Sequence, residues 1–156
     1  MSLYEVECIA IYIKMEDKEQ RNMTLKDFLN QGDRFAANAG AQIVEVREGY
    51  ARAEMTVTRE HLNAGGVCQG GALFTLADLA LAAVMNSHGR LTLSIESTIS
   101  FLCSAVEGDV LTAEAVETRS HHKIPYLEVK VRNQCGELVC AFTALGYCKD
   151  KDLGVG

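Results

Sequence analysis

Proline occurs once in the 156 residues, at Pro125, and the chain has no low-complexity stretch and no internal repeat. A chain so poor in breakers offers no place for an internal linker, so residues 1–156 read as one domain, long enough to bury a real core. Positive charge is in deficit: 15 Lys and Arg stand against 21 Asp and Glu, a net charge of −6. That balance argues against a general nucleic-acid binder, which needs a basic face, while leaving room for a local basic pocket. No apolar run reaches the roughly 20 residues a membrane span requires. The longest, residues 72–85, is interrupted by Thr75 and Asp78. No CxxC pair occurs among Cys8, Cys68, Cys103, Cys135, Cys140 and Cys148, and the four His do not bracket them at zinc-finger spacing. Reduced thiols of a cytoplasmic protein, with no metal site, are the expectation. The opening "MSLYEVECIAIYIK" is apolar but carries Glu5 and Glu7 and lacks a basic leader, so it does not read as a secretory signal. Residues 1–22 read as extra to the domain or disordered, with Met15 or Met23 as alternative starts. The G-x-G-x-x-G nucleotide fingerprint and the Walker pattern are both missing.

What is present is a clear alternation of patterns. "TLKDFLNQGDRFAANAG" predicts a short helix, with Thr24 as its cap, Asp27 at the capping-box position and Leu25, Phe28 and Leu29 on its apolar face. Two strands follow. The first holds Ile43, Val44 and Val46, and the second alternates Ala51, Ala53, Met55 and Val57 inward, with a turn at Gly49. "REHLNAGGVCQGG" reads as a glycine-rich loop and "GGALFTLADLALAAVM" as a helix apolar nearly all round, hence buried, closing at "NSHG" with Gly89 as a C′ residue. Four strands complete the chain. "LTLSIESTISFL" alternates strictly, with Leu91, Leu93, Ile95, Ile99 and Phe101 on one face, and in "PYLEVKVRN" Leu127, Val129 and Val131 oppose Tyr126, Glu128, Lys130 and Arg132. Hairpin-length turns imply an antiparallel meander. The economical architecture is α+β, an antiparallel sheet wrapped around one long central helix.

Asp78 is the only charge in residues 70–85. A carboxylate on an apolar helix is costly unless it is used or neutralised. Thr75, one turn earlier, is a candidate partner, and desolvation that raises the pKa is another way to neutralise it. The helix start at Gly70 and Gly71 gathers free N–H groups that can hold an oxyanion. Eight residues at 1.5 Å each put Asp78 roughly 12 Å from that end. If both serve one reaction, they come from two subunits, and the expectation is a two-fold homodimer, with further pairing giving a tetramer.

The run "HLNAGGVCQGGALFTLAD" resembles the signature loop and helix of the PaaI-type hotdog-fold acyl-CoA thioesterases, HxNxxGxxHGGxxxxLxD. The resemblance spans roughly residues 24–149, and its spacing from His61 through Asn63, Gly66, Gly70 and Gly71 to Asp78 fits without a gap. It implies a hotdog fold and hydrolysis of an acyl-CoA thioester, with no cofactor beyond the coenzyme A carried by the substrate. In that likeness the Gly70 N–H donates to the thioester oxygen, Asp78 of the other subunit is base or nucleophile, Asn63 holds the site or the attacking water, and Ser94 orients water. Gly71 and Phe74 would contact substrate. The size of the acyl pocket would depend on residues such as Phe74, Leu81 and Met85 together with strand side chains from two subunits. Arg119 and Lys123, with His122 assisting, would meet the coenzyme A phosphates, as Arg and Lys suit that task. The chain departs from the pattern at Gln69, where the family has His, and Gln cannot titrate.

That departure keeps a second reading open: a hotdog protein that binds acyl-CoA without turning it over, or does so slowly. A hydratase or dehydratase is a third, but those rely on a His in a proline-containing loop, and residues 61–71 have no proline. A Cys68 nucleophile fits poorly, since no Cys–His pairing is visible. His61 reads as loop surface just outside the site. His121 and His122, as neighbours, are expected to point apart and hold no metal.

Overall fold

Inward-facing alanines and valines dictate the architecture of this computed structural model, which describes residues 23–155. The expectations for residues 1–22, Cys8 included, lie outside the described residues. Two short helices come first, α1 (Leu25–Gly32) and α2 (Arg34–Asn38), where a single helix was expected. The break falls at Asp33, which ends α1 and caps α2 by accepting from the Ala36 N–H at 2.9 Å. Thr24 caps α1 as predicted, accepting from the Asp27 N–H at 3.2 Å while its hydroxyl donates to the Asp27 carboxylate at 2.6 Å.

Strands β1 (Gln42–Arg47) and β2 (Tyr50–Thr56) form a hairpin turned at Gly49, whose φ of 70° suits glycine. A loop then leads to α3 (Gly70–Met85), and β3 (Arg90–Phe101), β4 (Val110–Arg119), β5 (Tyr126–Arg132) and β6 (Leu138–Asp152) follow. All six strands pair antiparallel in the order β1-β2-β4-β5-β6-β3. The alternating residues Ala51, Ala53, Met55, Ala113, Ala115, Val129 and Val131 bury one face against α3. Small side chains at four of these positions let the helix approach closely. In return α3 buries Leu73, Leu76, Leu79, Leu81 and Val84, each worth about 1.5–3 kcal/mol of transfer free energy. Phe74 packs edge-on against the buried Phe142 of β6, with ring centroids 5.0 Å apart.

The helix end and β3 differ from expectation. The helix closes at the expected NSHG, but with Asn86 as C-cap Gly89 lies beyond the C′ position, and Asn86 ties the helix to β3 by accepting from the Thr92 N–H at 2.9 Å and donating to the Thr92 carbonyl at 3.2 Å. In β3 the strict alternation fails. Ser94 pairs with Gly146 and Glu96 with Leu145, so Ile95 is an extra residue, a β-bulge. Before the bulge Thr92 and Ser94 lie opposite the buried-face positions Cys148 and Gly146, and after it Ile99 and Phe101 lie opposite Phe142 and Cys140. Leu93, between Thr92 and Ser94, is 46% exposed.

The two sheet edges are treated differently. On β1 the side chain of Asn30 stands in for a neighbouring strand, donating to the Ile43 carbonyl at 2.9 Å and accepting from the Ile43 N–H at 2.8 Å. Along β3 no described residue covers the outer edge, and Ile95 and Phe101 are 57% and 54% exposed.

Candidate active site

Asp78 sits half-buried on α3 in a cavity of about 290 Å³. Ala82 and Met85, one and two turns further along the same helix face, line it with Asp78. Phe28 and Leu29 of α1 close one side, and Leu93 and Ser94 bound another. Ser94, one residue before the bulge at Ile95, is exposed and lies at the rim of this cavity. Among the described residues nothing hydrogen-bonds the Asp78 carboxylate, and burial, with a smaller push from Asp33, raises its pKa above the usual carboxylate range. Thr75 does not relieve it, because its hydroxyl donates to the Gly71 carbonyl at 2.8 Å.

At the opposite end of α3 the paired glycines make room for the chain's own side chains. A Cβ on Gly70 would stand 2.8 Å from Phe101 Cζ, and one on Gly71 would stand 2.6 Å from Gln69 Oε1. Gln69 is the N-cap: its side-chain carbonyl accepts from the Gly71 N–H. The Gly70 N–H meets no acceptor among the described residues. So one donor of the first helical turn is spent on the cap and its neighbour is free, in the field of the helix dipole. Phe101 beside that donor is a site residue sequence reasoning missed, and the absent side chain at position 70 was its only signal.

Asn63 shapes the loop ahead of the helix. Its Oδ1 accepts from the Gly65 N–H at 2.8 Å and the Val67 N–H at 3.4 Å, and its Nδ2 has no acceptor among the described residues. His61 belongs to the same scaffold, with Nδ1 accepting from the Thr58 N–H at 2.9 Å. Cys68 is buried, and burial followed by the charge of Asp109 raises its thiol pKa, the opposite of an activated nucleophile. Cys140 is pushed up to about 12, chiefly by burial and then by Cys68. The five described cysteines are free thiols.

Several expected groupings do not form within the protomer. Phe74 and Leu81 belong to the core, so of the three acyl-pocket residues read from the sequence only Met85 lines the Asp78 cavity. Arg119 is exposed at the end of β4. Lys123 is engaged by Asp150, with Nζ 2.9 Å from each carboxylate oxygen, and Arg90 reaches the same carboxylate at 3.0 Å. Lys123 holds the Asp150 carboxyl below its usual range. His121 and His122 do not point apart: their rings lie 4.4 Å apart and line a second cavity of about 280 Å³. No metal-binding group of three His, Cys, Asp or Glu exists among the described residues. No helix among them is long and apolar enough to cross a membrane.

The site can therefore do two separate things, accept a proton or attack at Asp78 and stabilise an oxyanion at Gly70, and known proteins share this framework. Residues 65–140 match the Thioesterase superfamily. A putative esterase of Archaeoglobus fulgidus is 40% identical over 135 residues, spanning 86% of this chain and 88% of its own. The acyl-coenzyme A thioesterase PaaI of Escherichia coli K12 is 36% identical over 112 residues, spanning 72% and 80%. The solved E. coli PaaI protein, from the phenylacetic acid degradation operon, superposes with a TM-score of 0.77 at 31% identity, covering 82% of this chain and 91% of that one. A hypothetical thioesterase of Streptococcus pneumoniae TIGR4, solved with coenzyme A, gives a TM-score of 0.71 at 28% identity over 75% and 93%. With its six-stranded antiparallel sheet packed on one long helix, and with relatives of this identity along most of its length, the chain belongs to the PaaI-type hotdog-fold thioesterases.

Proposed function

We propose that this protein hydrolyses an acyl-CoA thioester, with Asp78 of one protomer acting on a carbonyl held by the partner subunit's Gly70. The observation that carries the reading is the Asp78 carboxylate itself, raised in pKa, without a hydrogen-bond partner among the described residues, and facing an apolar cavity. A structural carboxylate would be satisfied, and a basic, poorly solvated one is suited to general-base or nucleophilic work. As a base, Asp78 takes a proton from water, the hydroxide oxygen bonds to the carbonyl carbon, and the C–S bond breaks to release the thiolate. Ser94, on the same cavity wall, orients that water. The charge that develops on the carbonyl oxygen is met by the free Gly70 N–H, a contribution of about 3–4 kcal/mol.

The roughly 12 Å between Gly70 and Asp78 along one helix requires a second subunit. The bare outer edge of β3, with exposed Leu93 and Ile95, is the place for it, since an uncovered apolar edge strand is otherwise an association hazard. Pairing of two such edges gives the homodimer, and further pairing a tetramer. Asn63 holds the loop that presents Gly70, and Gln69 serves as its helix cap. That role needs no titratable group, so Gln in place of His removes no proton-transfer step from this scheme. Arg119, Lys123 and His122 take the coenzyme A phosphates, with Lys123 released from Asp150 to do so.

A thiol-release screen with short-chain, long-chain and aromatic acyl-CoAs tests the proposal. Wild type should release coenzyme A from at least one class, and Asp78→Asn should lower the rate by about 10²–10⁴-fold with the dimer intact. Tight binding of acyl-CoA with no thiol released from any of them would instead make this a non-catalytic acyl-CoA-binding member of the family.

A further inference from the structure

The Asp78 cavity shares a wall with the second cavity. Met85 and Thr92 line both, the first near 290 Å³ and the second near 280 Å³. The wall is built on purpose-fitted packing. At Gly146 of β6 an added Cβ would meet Thr92 Cγ2 at 2.9 Å, Met85 Sδ at 3.1 Å and Pro125 Cγ at 3.2 Å. Three side chains from three elements thus converge over a residue that has none. Thr92 cannot drift, because its N–H and carbonyl are both held by Asn86. Met85 can move: it has three rotatable bonds and no polar tie.

We propose that Met85, closed against Thr92 over Gly146, is the end wall that sets the length of the acyl group. The inference rests on the acyl-thioester reading above. Asp78 must reach the carbonyl carbon, so the acyl tail begins at Asp78, and the adjoining apolar walls are Phe28, Leu29, Ala82 and Leu93. A volume of 290 Å³ is about twice the ~150 Å³ apolar cavity that holds one benzene molecule. It admits a single ring or a chain of moderate length. A longer tail that continues along this wall gains space by displacing Met85. Beyond the wall it would enter surroundings set by His88, Arg90 and His121, which suit an apolar tail poorly. The cut-off in length is therefore enforced twice, by volume and by polarity.

The test uses S-alkyl-CoA thioethers of butyl, octyl, dodecyl and hexadecyl length, which cannot be hydrolysed, with dissociation constants measured by calorimetry. Wild-type affinity should rise with chain length, then stop rising. In Met85→Ala the turning point should move to longer chains, and the dodecyl-to-butyl affinity ratio should increase by about tenfold or more. Met85 is buried, so Met85→Val, which keeps more of the packing, runs beside it as a second variant with a smaller shift expected, and thermal melts establish that both are folded. A folded variant with an unchanged length profile overturns the wall, as does failure of every thioether to bind. Thiol release from the matching acyl-CoAs separates the two levels: a length shift in binding without turnover leaves the wall standing and removes the catalytic reading.

Discussion

Gly70→Pro isolates one hydrogen-bond donor from everything else at the helix start. Gly70 is the first residue of α3, the position at which proline is best tolerated, because the missing N–H has no intrahelical partner. Gln69 before it, at φ −68° and ψ 136°, already has the extended conformation proline demands of its predecessor. Two things change: the free N–H disappears, and ring carbons approach Phe101. Gly70→Ala controls for the second, since its Cβ meets the same ring, 2.8 Å from Cζ. Phe101 is 54% exposed and can rotate away, so the steric part should cost less than about tenfold in rate. Loss of the donor should cost a further 10²–10³-fold in kcat, about 2.7–4 kcal/mol. The assay is steady-state thiol release with melting temperatures alongside, and adding Phe101→Ala should restore the alanine variant but not the proline variant. Equal activity of the two Gly70 variants would refute the oxyanion assignment.

Other predictions bear on the rest of the site. The raised pKa of Asp78 means that the native state keeps this proton to a higher pH than the unfolded chain does, so ionisation costs stability as pH rises above 3.8. Asp78→Asn should therefore melt no lower than wild type near pH 7 and lose any advantage below 3.8; a lower melting temperature at neutral pH would make the carboxylate structural. Removing the cap with Gln69→Ala should cost about 0.5–2 kcal/mol in chemical denaturation and lower the rate far less than Asp78→Asn does. Ile95→Lys on the bare edge of β3 should shift the sedimenting species from dimer to monomer and abolish thiol release with it; a catalytically active dimer would place the interface elsewhere.

Much of this could be read from the residues because period and burial agreed. The alternation of Leu127, Val129 and Val131, and the all-apolar face of α3, point to a sheet against a buried helix with no long-range information. Asp78 was legible because a charge in an apolar run needs a reason. The bulge at Ile95 was not, since residues 91–101 alternate save at Ser97 and only the register against β6 makes one of them surplus. Gln69 as a cap lay outside the Ser, Thr, Asp and Asn preference that marks helix starts. The Lys123–Asp150 pair joins a turn to the end of β6, 27 residues apart, and no local pattern announces such a contact.

The central claim is that one active site takes Gly70 from one chain and Asp78 from the other. Co-expressing Asp78→Asn and Gly70→Pro chains under different affinity tags, and purifying the heterodimer by both, tests it directly. Each chain is defective in a different half, so the heterodimer holds one complete site of two. It should recover about half of the wild-type thiol-release rate while both homodimers stay near background. A pure heterodimer no more active than either parent would contradict the account.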